Sequence, residues 1–473
     1  MENNKIRWYT LAFMAFSTVW GFGNVINGFA VYGGLRSIVP WILVFALYFV
    51  PYALMVGELG SAFKEKQGGV SSWIKETIGP KMAFYAGWTY WIVHMPYISQ
   101  KPAGALIAAG WAIFGDGRLS QIDTLYLQLG GLLIFFITLF IASRGVNWIK
   151  RISSIAGTSI FIMSLLFILM MLAAPSITNN QEIRSIPLNW EAFRPDFGMS
   201  FWLNLSILVL AVGGSEKISP YVNKMENPEK GFPRGMITLA VMVMVCAILG
   251  TIALSMLVDS SNIPNDFMTN GAYYAFLKVG QFYNLGSSLM IIYAVSFFIS
   301  QLSVIVISID APLRMLLDIA DREYIPKPLM KKNKYGSYTN GYILIAVIVS
   351  ILIILPAFGI GSVDEIIKYL IRLNAICMPL RYLWVFTAYI AMRHAKTKYL
   401  PAYRFVKNRY IGMAFGIWCF LITAWSCGSG IFNAETPFQL IMNIFTPFVL
   451  LGLGVLLPII ARRGKGKQED KYE

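Results

Sequence analysis

Apolar runs of about 20 residues recur from one end of the chain to the other, separated by short stretches in which Lys, Arg, Gly and Pro collect. Wound as α-helix, a run of that length matches the hydrocarbon thickness of a bilayer. The pattern predicts about twelve spans, near 8–32, 37–63, 82–114, 124–143, 148–173, 197–222, 234–258, 284–316, 341–360, 364–391, 409–430 and 437–461. The first and sixth runs are interrupted near the middle, at Gly21-Phe22-Gly23-Asn24 and at Gly213-Gly214-Ser215-Glu216. A helix broken inside lipid leaves backbone amides and carbonyls unpaired, which is tolerated only where they line a cavity or hold a ligand. Breaks in matching positions of two halves point to a transporter's binding site.

Composition agrees with an all-α integral membrane protein: 57% of residues are hydrophobic and 13% charged, with a mean hydropathy of +0.61. That charge fraction is about half that of a soluble domain. The formal net charge of +15 does not imply nucleic acid, because the basic residues gather in particular loops. Lys64, Lys66, Lys75 and Lys81 follow the second run, and Arg144, Lys150 and Arg151 follow the fourth. Lys224, Lys230 and Arg234 follow the sixth, Arg322, Lys327, Lys331, Lys332 and Lys334 the eighth, and Arg393, Lys396, Lys398, Arg404, Lys407 and Arg409 the tenth. By the positive-inside rule these loops and both termini are cytoplasmic. No cleavable signal is expected, since the first apolar run is too long, and the end with Arg462, Arg463, Lys465 and Lys467 reads as a short solvated anchor. Cys246, Cys377, Cys419 and Cys427 all fall in apolar runs without metal-ligand spacing and read as packing residues. No metal set, nucleophile elbow or acid–base cluster appears, so neither an enzyme nor a cofactor is expected.

Three polar stretches carry recognisable motifs. After the second run stand Gly57-Glu58-Leu59-Gly60-Ser61-Ala62-Phe63 and Gln67-Gly68-Gly69-Val70-Ser71-Ser72-Trp73. Glu226-Asn227-Pro228-Glu229-Lys230-Gly231 follows the sixth run, and Pro312-Leu313-Arg314 precedes Asp321-Arg322-Glu323-Tyr324-Ile325-Pro326 after the eighth. The series resembles the amino acid-polyamine-organocation permeases, and within them the glutamate:GABA antiporter branch. The resemblance implies a LeuT-like, five-plus-five inverted repeat: residues 1–173 the first repeat, 174–391 the second, and 392–473 two appended helices with a short cytoplasmic tail.

Family members bind an amino acid at the two broken helices. The implied substrate-binding residues are Trp20, Gly21, Phe22, Gly23 and Asn24, together with Val212, Gly213 and Gly214. A half-helix beginning near Asn24 offers free amides and a positive dipole end to a carboxylate, and unwound carbonyls face the ammonium. The bland alternative is that these glycines only let helices pack closely. Tyr382, in Pro379-Leu380-Arg381-Tyr382, falls where the family has a substrate-facing aromatic. Glu216 matches a family position used in gating or side-chain recognition, or else forms a fixed pair with a cation such as Lys217. Arg381 and Lys101 supply positive charge suited to an anionic substrate side chain; alternatively Arg381 pairs with a neighbouring helix. Asp310 and Arg314, four apart, read as a helix-surface ion pair. His94 reads as a satisfied packing histidine, and the aromatic residues Trp88, Tyr90, Trp91 and Tyr97 fit either a cavity or an interfacial belt.

The expectation is therefore a multi-pass amino acid permease of the bacterial plasma membrane, an exchanger working by alternating access on an amino acid or amine. A proton-coupled symporter and a membrane sensor are the alternatives. Between Ser153 and Leu172 there is no lysine, so the lysine-for-sodium device that some family members carry in the fifth span is not expected.

Overall fold

The computed structural model describes residues 5–66, 68–177, 183, 189–318, 323–355, 363–395, 399, 401–432, 434 and 436–469. Gln67, Asp321, Arg322, Lys396 and Lys398 of the loops named above lie outside them, as do the side chains of Lys465 and Lys467. Among the described residues there is no strand, only the isolated bridges Ile6–Met225 and Lys332–Tyr338. The first half comprises α1 (Trp8–Val19), α2 (Gly23–Tyr32), α3 (Ile38–Val44), α4 (Val50–Ala62), α5 (Val70–Thr77), α6 (Pro80–Phe114), α7 (Thr124–Ser143), α8 (Val146–Ile177) and α9 (Trp190–Phe193). The remainder comprises α10 (Met199–Val212), α11 (Pro228–Ser255), α12 (Phe267–Phe282), α13 (Ser288–Leu317), α14 (Thr339–Ile354), α15 (Val363–Cys377), α16 (Leu380–His394), α17 (Arg409–Phe432), α18 (Pro437–Gly452) and α19 (Leu456–Glu469).

Nine helical stretches among the described residues, some of them interrupted, are long and apolar enough to cross a bilayer, and α1 with α2, bent by 42° at their junction, make a tenth. Each of the twelve runs read from the sequence falls on helix, although 356–360 of the ninth lie outside the described residues. The protein is a multi-pass membrane protein. Its outward faces are apolar, as lipid requires: Leu129, Leu133, Phe136 and Phe140 of α7 are exposed at helical spacing. In contrast, α6 is 35 residues long, largely buried, and packs against α13 at the centre of the bundle. The interrupted helices pack on other neighbours, α1 on α8 and α11, and α10 on α15 and α17. The approach of α1 to α8 is close: a Cβ at Gly157 would overlap the Phe13 carbonyl, so packing by a small residue is real at this glycine.

One interruption is not anticipated by the apolar pattern. The tenth run divides at Met378-Pro379 into α15 and α16. Proline cannot donate to the preceding turn, and Arg381 and Tyr382 fall in the first turn beyond it.

Candidate functional site

The site begins where α1 stops. Trp20 is extended (φ −118°, ψ 137°), its amide still donating to the Phe16 carbonyl at 2.8 Å. The amides of Gly21, Phe22 and Gly23 find no backbone acceptor among the described residues. The Asn24 amide, expected to be open, is bonded to the Gly21 carbonyl at 2.9 Å, so the free donors lie one to three residues earlier than the sequence suggested. The Asn24 side chain is a strut: Nδ2 donates to the carbonyls of Val19 at 3.3 Å and Ala211 at 3.1 Å, tying the first break to the second.

Beyond Val212 the chain is extended at Gly213 and takes φ +113° at Gly214 before a ten-residue 3-10 helix, Ser215–Lys224. The positive φ disfavours any L side chain. At Gly213 the constraint is space, since a Cβ would overlap the Tyr382 hydroxyl. At Gly21 the nearest neighbour of a Cβ is Phe297 at 3.7 Å, and at Gly23 nothing lies within 4 Å. The close-packing alternative therefore does not describe Gly21 and Gly23.

Between the breaks lies a cavity of about 220 Å³. Of the residues singled out from the sequence, Trp20, Gly21, Gly23, Asn24, Gly213, Lys101, Arg381 and Tyr382 are on its wall. Phe22, Val212, Gly214 and Glu216 are not. The Phe22 ring is turned into a cluster with Phe167, Phe276 and Tyr293, and its carbonyl accepts from Val25 and Ile26. Val212 is fully buried at the end of α10, and Gly214 stands next to the Arg381 guanidinium.

Glu216 sits behind the wall with no exposure. It accepts from the Tyr52 hydroxyl, and its Oε1 is 3.3 Å from Arg381 Nε. Its ionic partner is Arg381, then, and not the adjacent Lys217. The rest of the guanidinium is also engaged, with Nη2 donating to the Tyr382 hydroxyl at 3.0 Å and Nη1 to His94 Nε2. Arginine can only donate, so Nε2 accepts and the His94 proton is on Nδ1, which faces the Tyr90 carbonyl at 2.5 Å. His94 is thus neutral and fully bonded, as expected of a packing histidine, but what it packs is the arginine.

Two further cations reach the wall. Lys217 Nζ donates to Ser308 Oγ at 3.2 Å and lies 4.8 Å from the centre of the Tyr97 ring; Lys101 Nζ lies 4.6 Å from the same ring. Tyr97 itself lines the cavity, while Trp88, Tyr90 and Trp91 do not. The described lining contains Lys101, Lys217 and Arg381 and no carboxylate. The buried atoms Trp20 Nε1, Asn27 Oδ1, Gln301 Oε1 and Asn374 Oδ1, all on lining residues, have no hydrogen-bond partner among the described residues. Buried polar atoms are ordinarily satisfied, so this wall holds unused bonding capacity.

From the sequence Lys217 is expected only as a partner of Glu216, and Asn27, Gln100, Gln301 and Asn374 of the lining carry no expectation. A usable signal existed for all four, each inside an apolar run: polar side chains there are functional candidates by default.

The cavity extends past Ile107, Ile207 and Thr269 toward the end of the bundle where α6 finishes and α10 begins. The opposite end, with the N-terminus, is held by ion pairs. Arg7 meets Glu226 at 3.2 Å, and Lys64 meets Glu229. Glu58 of the Gly-Glu-Leu-Gly motif is buried 2.7 Å from Arg393 and accepts the Phe405 amide at 3.0 Å. Asp310 and Arg314 pair at 2.6 Å, yet both are buried, and Asp310 also accepts from Tyr221 and Tyr342. The helix-surface reading of that pair is corrected: neighbouring elements cover it.

A broken-helix cavity inside a helical membrane bundle defines a solute transporter. The profile of the amino acid permease family matches residues 6–451, and the chain belongs to that family: it is an amino acid transporter. It is 48% identical to an aspartate/glutamate permease of Lactococcus lactis subsp. cremoris (strain MG1363) over 99% of this chain and 97% of that one. It is 24% identical to a glutamate/gamma-aminobutyrate antiporter of Lactococcus lactis subsp. lactis (strain IL1403), over 78% of this chain and 73% of the other. With the inner membrane transporter YjeM of Escherichia coli (strain K12) it shares 23% identity over 80% of each chain.

Proposed function

We propose that the protein carries acidic amino acids, aspartate or glutamate, across the bacterial plasma membrane, exchanging them by alternating access with both termini in the cytoplasm. The observation that carries this reading is the sign of the cavity: Lys101, Lys217 and Arg381 on the wall, with no carboxylate among the described lining. A neutral amino acid brings no net charge to offset the excess of positive charge, whereas an acidic one brings a second carboxylate. Arg381 is already partnered by Glu216, so the uncompensated charge is that of the two lysines beside Tyr97. The α-carboxylate is assigned to the open amides of Gly21 to Gly23, where the dipole of α2 begins. The ammonium is assigned to the unwound carbonyls of the two breaks. The permease and antiporter names of the relatives support the substrate class and the exchange mode.

In this reading the pairs Glu58–Arg393, Asp310–Arg314 and Lys64–Glu229 close the cytoplasmic end while the cavity faces outward. Rearranging them would open the other side. The test is counterflow in proteoliposomes: internal glutamate is expected to accelerate uptake of labelled aspartate several-fold, while internal alanine does so weakly. Uptake that ignores internal substrate and follows an imposed proton gradient would replace exchange by symport. Uptake of neutral but not acidic amino acids would overturn the substrate class.

A further inference from the structure

A second cavity, of about 730 Å³, lies at the N-terminal end of the bundle, apart from the substrate site. Its walls come from the turn between α7 and α8, the end of the 3-10 helix at Lys224, the end of α13 and the loop before α14. Six basic residues line it, Arg144, Lys150, Lys224, Arg314, Lys332 and Lys334, against one acid, Asp318. Local acids account for two of the six. Arg314 is neutralised by Asp310 behind the wall at 2.6 Å, and Lys332 by Asp318 at 3.2 Å. Arg144, Lys224 and Lys334 have no ion pair among the described residues.

These cations are held in place. Arg144 Nη1 donates to the Tyr335 hydroxyl at 3.0 Å, and its guanidinium lies 4.3 Å from the Phe140 ring centre. Lys334 Nζ lies 5.2 Å from the Tyr335 ring, and the backbone at Lys224, though not its ammonium, is fixed by its carbonyl accepting the Ile6 amide at 2.8 Å. Like charges around one concavity repel unless an anion joins them, and phosphate oxygens accept from several Lys and Arg donors at once. Basic pockets between spanning helices on the cytoplasmic side are suited to phosphate head groups. The Phe140 ring that Arg144 covers is itself more than half exposed.

We propose that this cavity is a binding site for a phosphate-bearing anion, either the head group of an anionic lipid or a soluble polyphosphate. Lys224 ends the segment that begins beside Gly214 and carries Lys217, so an occupant would act on the element that lines the substrate cavity. The proposal does not depend on which amino acid is carried.

The experiment is a binding titration of the purified full chain in neutral detergent. The probes are sodium pyrophosphate and short-chain phosphatidylglycerol, with phosphatidylcholine of the same chain length as the neutral control. The native protein is expected to bind at least one phosphate probe and not the control, and Lys334→Glu, at an exposed loop position, to weaken that binding by about tenfold or more. Arg144→Gln is the second variant, made should the first fail to fold. Binding of phosphatidylglycerol alone assigns the site to lipid, and binding of pyrophosphate to a soluble ligand. Binding of neither probe, or equal binding by native and substituted proteins, overturns the proposal.

Discussion

Lys217 and Glu216 are neighbours in the chain with opposite assignments in the structure. Glu216 is sealed behind the cavity wall against Tyr52 and Arg381, whereas the Lys217 ammonium reaches the wall beside Tyr97. Removing either should therefore have different effects. Lys217→Gln is expected to raise the KM for aspartate and glutamate far more than for any neutral substrate, by about 2–5 kcal/mol if a desolvated carboxylate loses its charged partner. Competition uptake with acidic and neutral amino acids measures the difference, and equal losses would assign Lys217 to packing. Glu216→Gln instead leaves Arg381 buried without its counter-charge. Breaking a buried pair costs about 3–5 kcal/mol, so a lowered thermal midpoint in detergent is expected. A stability unchanged from the native protein would mean that Arg381 finds its compensation elsewhere.

At the scale of elements, glycine serves two purposes that one chain pattern does not distinguish. Gly157 lets α8 touch α1, where a side chain would meet the Phe13 carbonyl; Gly23 starts α2 with nothing within 4 Å of its would-be Cβ. Gly23→Leu is expected to leave insertion and the elution profile unchanged while abolishing substrate binding, because the new side chain enters open space on the cavity wall. Gly157→Leu is expected to lower the yield of folded protein. Retained substrate affinity in folded Gly23→Leu would count against the site. The division of the tenth run at Pro379 belongs to the same scale. A single proline in an apolar run is compatible with a kinked continuous helix, and only the packing of Tyr382 against Gly213 shows why the chain separates there.

For the whole molecule, the charged loops make a statement about sidedness. If the loop with Lys334 is cytoplasmic and the turn with Arg118 external, then in intact cells an impermeant thiol reagent labels a cysteine placed at 118 and spares one at 334. The reverse pattern would invert the topology. The four native cysteines are free and buried, so the background should be low. The closed N-terminal end makes a related demand. Glu58→Gln weakens the bond that fixes Arg393 and the Phe405 amide, and faster labelling of a cysteine placed between the cavity and the N-terminal end is the expected result. An unchanged labelling rate would show that the other pairs suffice.

What the sequence determined by itself was the architecture and the position of the breaks. Bilayer thickness imposes a run length, and unpaired backbone in lipid is costly enough that Gly21-Phe22-Gly23 and Gly213-Gly214 could be read without coordinates. Loop motifs added the family, because their spacing survives in the linear chain. Which polar atoms meet was decided only in three dimensions. Helical periodicity puts Glu216 and Lys217 on different sides of their segment, but their partners Arg381, Tyr52 and Ser308 come from helices far away in the chain. The depth of Asp310–Arg314 likewise depends on Tyr221 and Tyr342 closing over it. The charge inside the cavity is therefore a tertiary property: a basic residue adds to it only when no distant carboxylate has folded against it, as one has against Arg381.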